Sequence, residues 1–406
     1  MRFVLFVARN FTENAVRFIR AFAGLPGVRV GLLAEEPVHL LPADLQQQLA
    51  THRQLVSVYD VPALVAAAET LAQNFGPVHR IIGAVEQLQE TIATVRERMG
   101  IAGMDVATAL NFRDKARMKN LLRQAGIPCA RYALVTNIGM ASAFAKEVGF
   151  PLIVKPPDGA GSRSTFKVRS SATMGQALQL LGLSPECPVL LEEFVLGSEH
   201  SFDTFSLRGQ HLFHSISHYY PSPLEVMQEP WIQWQVVLPI EVDTPQYDDI
   251  RHHAFRTLDV LGMQTGFSHL EWFRRKDGSL AISEVAARPP GAQFPTLISR
   301  ANDFDALSAW ARLMVLDEFT LPKRKYAVGA AYLRGQGEGR VVAIHGIEEL
   351  DKTIGHLVTD VKLPQIGQEA LPSYEGEGYI IVRHPKTEVV RAALQQIVSI
   401  ARVELG

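Results

Sequence analysis

Residues Gly266–Gly291 read GFSHLEWFRRKDGSLAISEVAARPPG. Two apolar, aromatic-rich runs flank the KDGS of Lys276–Ser279, and an Asp-Gly turn between such runs predicts a β-hairpin. Glu271 lies in the first run and Glu284 in the second. Two acids brought side by side repel each other unless a divalent cation or a positive side chain lies between them, so both are candidate metal ligands. Arg288, four residues beyond Glu284, adds a positive charge at the same mouth. The alternative is a pair of glutamates on the solvated face of an ordinary hairpin.

Outward from this hairpin, the chain of 406 residues is 47% hydrophobic, enough for a large core and two or three domains. Forty basic and 42 acidic residues leave a formal net charge of −2, so bulk charge argues for neither nucleic acid nor an anionic membrane as partner. Cys129 and Cys187 each stand beside a proline, away from any CxxC or Cys/His cluster. Neither a disulfide framework nor a zinc site is indicated, and a reducing cytoplasm fits. The apolar run of MRFVLFVARN is too short for a secretion signal and reads as a first strand.

Strand and helix alternate from RFVLFV through FTENAVRFIRAFAGL, VRVGLLA, PALVAAAETLAQNF and HRIIGAV, the pattern of a doubly wound parallel sheet. No glycine fingerprint follows the first strand, so dinucleotide binding there is not expected. Residues 114–195 read as a compact α+β unit, and residues 196–320 as a longer sheet that includes the hairpin. LPKRKY, Leu321–Tyr326, marks a boundary before a small α+β unit over 321–406.

Within the α+β unit, Lys155 closes the apolar strand PLIV and precedes PPDGAGSRST, whose Gly159, Gly161, Ser162 and Ser164 let backbone N–H groups approach phosphate oxygens. A plain glycine-containing hairpin is the alternative. The GxxxxGK[ST] pattern is absent, so this is not a Walker loop. Lys115 opens a predicted helix, where a lysine is ordinarily a solvated charge, and its partnership with Lys155 suggests a phosphate role. Glu192 and Glu193 end a buried strand leading into Phe194 and Val195, whose backbone is suited to an adenine edge. Glu199 falls where a turn is expected to return the chain; a carboxylate there could bind two ribose hydroxyls, and a solvated glutamate is the default alternative.

The series Lys115, Lys155-Pro-Pro-Asp-Gly-Ala-Gly-Ser, Glu192-Glu193-Phe194-Val195, Glu199, Glu271 and Glu284-Val-Ala-Ala-Arg288 resembles the ATP-grasp signature in its usual order, over roughly residues 1 to 320. The resemblance implies an N-terminal doubly wound domain (1–113), a lid with a phosphate loop (114–195), a catalytic mixed or antiparallel sheet domain (196–320) and a small C-terminal subdomain (321–406). It assigns Lys115, Lys155, Gly161, Ser162, Glu192, Glu199 and the backbone of Glu193 and Val195 to ATP, and Glu271 and Glu284 to magnesium, with manganese as a substitute. Arg288 and Lys155 become the catalytic cations, Arg288 meeting the transferred phosphate or a substrate carboxylate. Many members carry Asn two residues after the second acid; Ala286 stands here, so one side-chain oxygen ligand is missing.

HLEWF, the HYYPSPLEVMQEPWIQWQVVLP segment and GEGRVVAIHGIEEL resemble L-amino-acid ligases and related carboxylate–amine ligases. The implied reaction joins small-molecule carboxylate and amine substrates through an acyl phosphate, releasing ADP, and the apolar helices of the first domain are the candidate interface of a homodimer. Tyr219, Tyr220, Trp231 and His269 are pocket candidates, against plain sheet packing, and Glu86, after strand RIIGAV, is a candidate for the nucleophile side. Two other readings stay open: a formate-dependent transformylase or carboxylase of the same superfamily, and a regulatory protein that binds ATP without turnover.

Overall fold

The structure is a computed structural model and describes residues 1–159, 164–229, 232–371 and 373–406. Four parallel strands open the chain, in the order Thr51–Gln54, Val28–Ala34, Arg2–Ala8, Val78–Ile82. Phe3 to Ala8 are all buried because helices cover both faces, which is why the run is continuously apolar. Helix Glu13–Ala23 starts at Thr12, whose hydroxyl accepts from Ala15 N–H, and packs Phe18 and Phe22 edge-on against Trp310. The connections diverge from Arg2–Ala8 in opposite directions, so a crevice opens at the carboxyl ends of that strand and Val78–Ile82.

The 114–195 segment holds a separate antiparallel sheet, ordered Tyr132–Val135, Val189–Glu193, Leu152–Lys155, Phe166–Val168. Helices Ile138–Val148 and Ser171–Leu180 close its own core around Phe144, Leu152, Met174 and Leu191. A sheet with a private core can move as a unit about its two chain crossings.

The largest sheet has eight antiparallel strands, ordered Leu280–Ala286, Gly266–Arg275, Gly197–Leu207, Gln210–Tyr220, Gln235–Leu238, Ala327–Leu333, Gly378–His384, Val358–Lys362. It runs straight through the expected boundary at residue 320. Ala327–Leu333 is buried at all seven positions, so its backbone needs partners on both sides and finds them in Gln235–Leu238 and Gly378–His384. The residues after 320 therefore extend the catalytic sheet, with a three-stranded sheet of Gly335–Gln336, Arg402–Leu405 and Val341–His345 beside it.

Candidate active site

The hairpin forms as its sequence predicts: Arg275 N–H donates to Ser279 O at 2.8 Å, and Gly278 takes φ +84° at the turn. Glu271 stands directly opposite Glu284, with a bulge just after the pair. On the next strand Glu199, Ser201 and Asp203 lie opposite Phe273, Glu271 and His269. Because side chains alternate along a strand, these residues form one polar stripe on one face. Glu199 thus sits inside strand Gly197–Leu207 and not on the turn expected there; Gly197 is the residue that lets the strands close, since a Cβ would stand 2.1 Å from Arg274 O.

Glu199, His269, Glu271 and Glu284 of this face line a cavity of about 720 Å³ whose walls also include Lys115, Lys155, Gly159, Glu192, Val195 and Arg288. The two hairpin glutamates therefore face a pocket, not bulk solvent. Lys115, 4% exposed, lies 3.3 Å from Glu284 and donates to Gly159 O at 2.5 Å. Lys155 lies 3.2 Å from Glu192, and on the other side of that carboxylate stands Lys119, completely buried, at 3.3 Å in an ion-pair contact without hydrogen-bond geometry. Lys119 also donates to Ser283 O at 3.0 Å, bracing the strand that carries Glu284.

Burial alone would raise the pKa of these carboxyls, and the ammoniums decide the outcome. Lys115 and Lys155 outweigh burial at Glu284 and hold it at about 2, and Lys119 and Lys155 bring Glu192 below its ordinary value. Glu199 goes the other way: burial, then the charges of Glu271 and Glu284, push it well above the carboxylate range. Burial lowers His269, but Asp203, accepting from its ring at 2.6 Å, and Glu271, at 3.6 Å, together carry it up to about 9. Ser201 Oγ donates to Asp203 at 3.1 Å.

Arg288 donates to Glu86 at 3.0 Å, and Arg113 donates to the other carboxylate oxygen at 3.3 Å. Glu86 thus stands behind Arg288 at the crevice of the first sheet, fixing the guanidinium. Glu193 turns its carboxylate between Arg131 and Arg275, at 2.8 and 2.5 Å, and its N–H donates to Arg131 O, so its amide is already engaged. Tyr219 is buried in the cavity wall, whereas Tyr220 is half exposed and stacks beside His218. Gly161, Ser162 and Trp231 lie outside the described residues. Lys119, Asp203, Trp234 and Tyr374 were not singled out from sequence. A signal existed for two of them: Lys119 is one helical turn from Lys115, and Asp203 repeats the two-residue spacing of Glu199 and Ser201.

A family model for the ATP-grasp domain matches residues 120–302. The chain carries an ATP-grasp domain. It is 26% identical over 372 residues to an uncharacterised protein of Sinorhizobium fredii, covering 89% of this chain and 74% of that one. It is also 28% identical over 270 residues to an L-arginine-specific L-amino acid ligase of Bacillus subtilis, covering 64% of this chain and 63% of that one. Among solved structures, the L-amino acid ligase of Bacillus licheniformis superposes with a TM-score of 0.80 at 19% identity, over 100% of this chain and 99% of the other. The ATP-grasp domain holds every residue of the polar stripe and the buried lysine Lys155, while Lys115 and Lys119 lie just before its matched start.

Proposed function

We propose that this protein is an ATP-dependent carboxylate–amine ligase that forms an amide or dipeptide bond through an acyl phosphate, releasing ADP and phosphate. The observation that carries the reading is the facing pair Glu271 and Glu284 in one cavity with Lys115, Lys155 and Arg288. Phosphoryl transfer needs positioning and charge neutralisation more than covalent help from the protein, and that cavity supplies both.

Glu271 and Glu284 fit a divalent cation. Glu284 is held ionised by Lys115 and Lys155, while burial and then the charges of Glu271 and Glu284 keep Glu199 from ionising. No group of three or more His, Cys, Asp or Glu side chains is arranged as a protein-only metal cage among the described residues. Magnesium suits such a sparse site, since it retains waters and takes phosphate oxygens for the rest of its shell. Bound there, it would neutralise the β- and γ-phosphate charge. Ala286, opposite His269, contributes no oxygen.

Lys115 and Lys155 bind phosphate oxygens, and Arg288, steered by Glu86, meets the transferred phosphoryl group or the substrate carboxylate. The substrate carboxylate oxygen attacks the γ-phosphorus as the bond to ADP breaks. An amine then attacks the acyl carbon, loses a proton and expels phosphate. Closure of the lid sheet over the cavity excludes water from the acyl phosphate. Val195 backbone and Glu199 serve the nucleoside. The test is ADP release from Mg·ATP against single and paired amino acids and small carboxylic acids, with product masses. Release that requires two substrates and yields their condensation mass supports the ligase. Glu284→Gln should abolish it, and unchanged turnover would overturn the metal assignment.

A further inference from the structure

One end of the cavity is charged and the other is aromatic. The charged edge is formed by Arg288, His269 and Glu271. Beyond it stand Tyr219, Trp234, Phe294 and Tyr374, all lining the same cavity. Trp234 meets Tyr219 edge-on at 5.5 Å and Tyr374 edge-on at 4.8 Å, and Phe294 lies 6.0 Å from Tyr219 and 5.5 Å from His269. These four rings form a continuous wall. Tyr219, Trp234 and Phe294 are at most 4% exposed, whereas Tyr374 is only partly covered. Tyr374 is thus the ring with surface left for a ligand to bury.

Tyr374 arrives from outside the matched ATP-grasp segment, on the loop before strand Gly378–His384. That loop is anchored: Glu377 N–H donates to Leu333 O at 2.9 Å, and its carboxylate accepts from Gly335 N–H at 2.7 Å and from Leu371 N–H at 2.9 Å. Gly376 takes φ +61° against Leu333 O, where a Cβ would stand at 2.6 Å. The backbone just after Tyr374 is thus fixed and its ring rests edge-on against Trp234, an arrangement suited to selection by shape. Burial and then Glu375 and Glu271 push the Tyr374 hydroxyl upward, so the ring presents a neutral face.

We infer that Tyr374, with Trp234, Tyr219 and Phe294 behind it, forms the side-chain pocket of the acid substrate and selects an amino acid with an aromatic or bulky apolar side chain. The inference rests on the ligase reading for the word substrate. The wall adjoins Arg288 and Glu271, where the acyl phosphate forms, so its occupant is the acyl donor. The wall itself offers no charged group, so a charged side chain would lose its hydration there without gaining a partner. An aromatic side chain instead gains edge and face contacts with rings already in place.

The experiment uses the whole protein with Mg·ATP and hydroxylamine as a generic amine, so that hydroxamate reports the acid alone, with L-phenylalanine, L-alanine and L-glutamate as probes. L-Phenylalanine should give the highest kcat/KM, about tenfold or more above L-alanine. Tyr374→Ala should raise KM for L-phenylalanine about tenfold while leaving KM for ATP in place, and Tyr374→Phe, which keeps the ring, should recover most of the preference. Equal or better use of L-alanine or L-glutamate, with hydroxamate formed, would overturn the pocket and leave the ligase standing. If no acid gives hydroxamate, thermal shift with the same probes and a non-hydrolysable Mg·ATP analogue decides separately. Stabilisation by L-phenylalanine that Tyr374→Ala removes keeps the pocket while the ligase reading fails, and no such stabilisation overturns both.

Discussion

Glu192→Gln is the most informative single change. The wild-type carboxylate stands between two ammoniums, Lys119 at 3.3 Å and Lys155 at 3.2 Å, with side-chain exposures of 6%, 0% and 10% for the glutamate and the two lysines. The substitution preserves shape and leaves two like charges facing each other, both remote from water. Removing one partner of a buried ion pair destabilises by about 3–5 kcal/mol, because the remaining charge is uncompensated. A thermal transition of a 150–250-residue unit shifts by about 2–4 °C per kcal/mol, so the apo midpoint should fall by about 6 °C or more. Differential scanning fluorimetry without nucleotide measures this directly. Saturating Mg·ATP should narrow the gap to wild type, since phosphate oxygens then replace the missing carboxylate at Lys155. An apo midpoint within about 1 °C of wild type would refute the keystone role of Glu192.

The same charges set further expectations. Glu199 has a raised pKa in the folded state, so its contribution to stability is intact below the unfolded value near 4.3 and is lost as pH rises through the folded value; Glu199→Gln should therefore raise the apo midpoint at neutral pH, not at pH 4, while weakening Mg·ATP binding by calorimetry. His269 is raised to about 9, so its ion pair with Asp203 stabilises fully below about 6.5 and fades as pH rises through 9; Asp203→Asn should flatten midpoint against pH over that window. Gly197→Ala must part Gly197–Leu207 from Gly266–Arg275, and overpacking of this kind costs about 1–3 kcal/mol, read as a lower urea midpoint with the slope unchanged.

Local signals in the sequence were read well where the determinant was local. The hairpin followed from KDGS and its flanking apolar runs, and the first sheet from short, continuously apolar runs alternating with helical segments. The turn expected at Glu199 failed for a physical reason: Gly197 and Ser198 look like turn punctuation, but Gly197 is there to admit the Arg274 carbonyl. The sheet continues past Leu321–Tyr326 because Ala327–Leu333 pairs with Gln235–Leu238, a contact no local pattern announces. Glu86 was placed at a strand end by topology, yet its bond to Arg288 spans 202 residues and only the folded chain reveals it.

Three of the cavity's cations are already paired with carboxylates before any phosphate arrives. Lys115 is with Glu284, Lys155 with Glu192, and Arg288 with Glu86. Nucleotide binding is then an exchange of partners and not the filling of an empty positive hole, which keeps each ammonium and guanidinium from the penalty of burial alone. The exchange is uneven. Glu192 stays braced by Lys119 when Lys155 turns to phosphate, and Glu86 stays braced by Arg113 when Arg288 does, but among the described residues Glu284 has no second lysine within ion-pair distance. Once Lys115 turns to phosphate, Glu284 is the carboxylate left in need of a new cation, and it faces Glu271 across the hairpin. The spare brace at two of the three pairs and its lack at the third predict that a divalent ion acts at Glu284, and nucleotide affinity measured by calorimetry should fall steeply when magnesium is withheld.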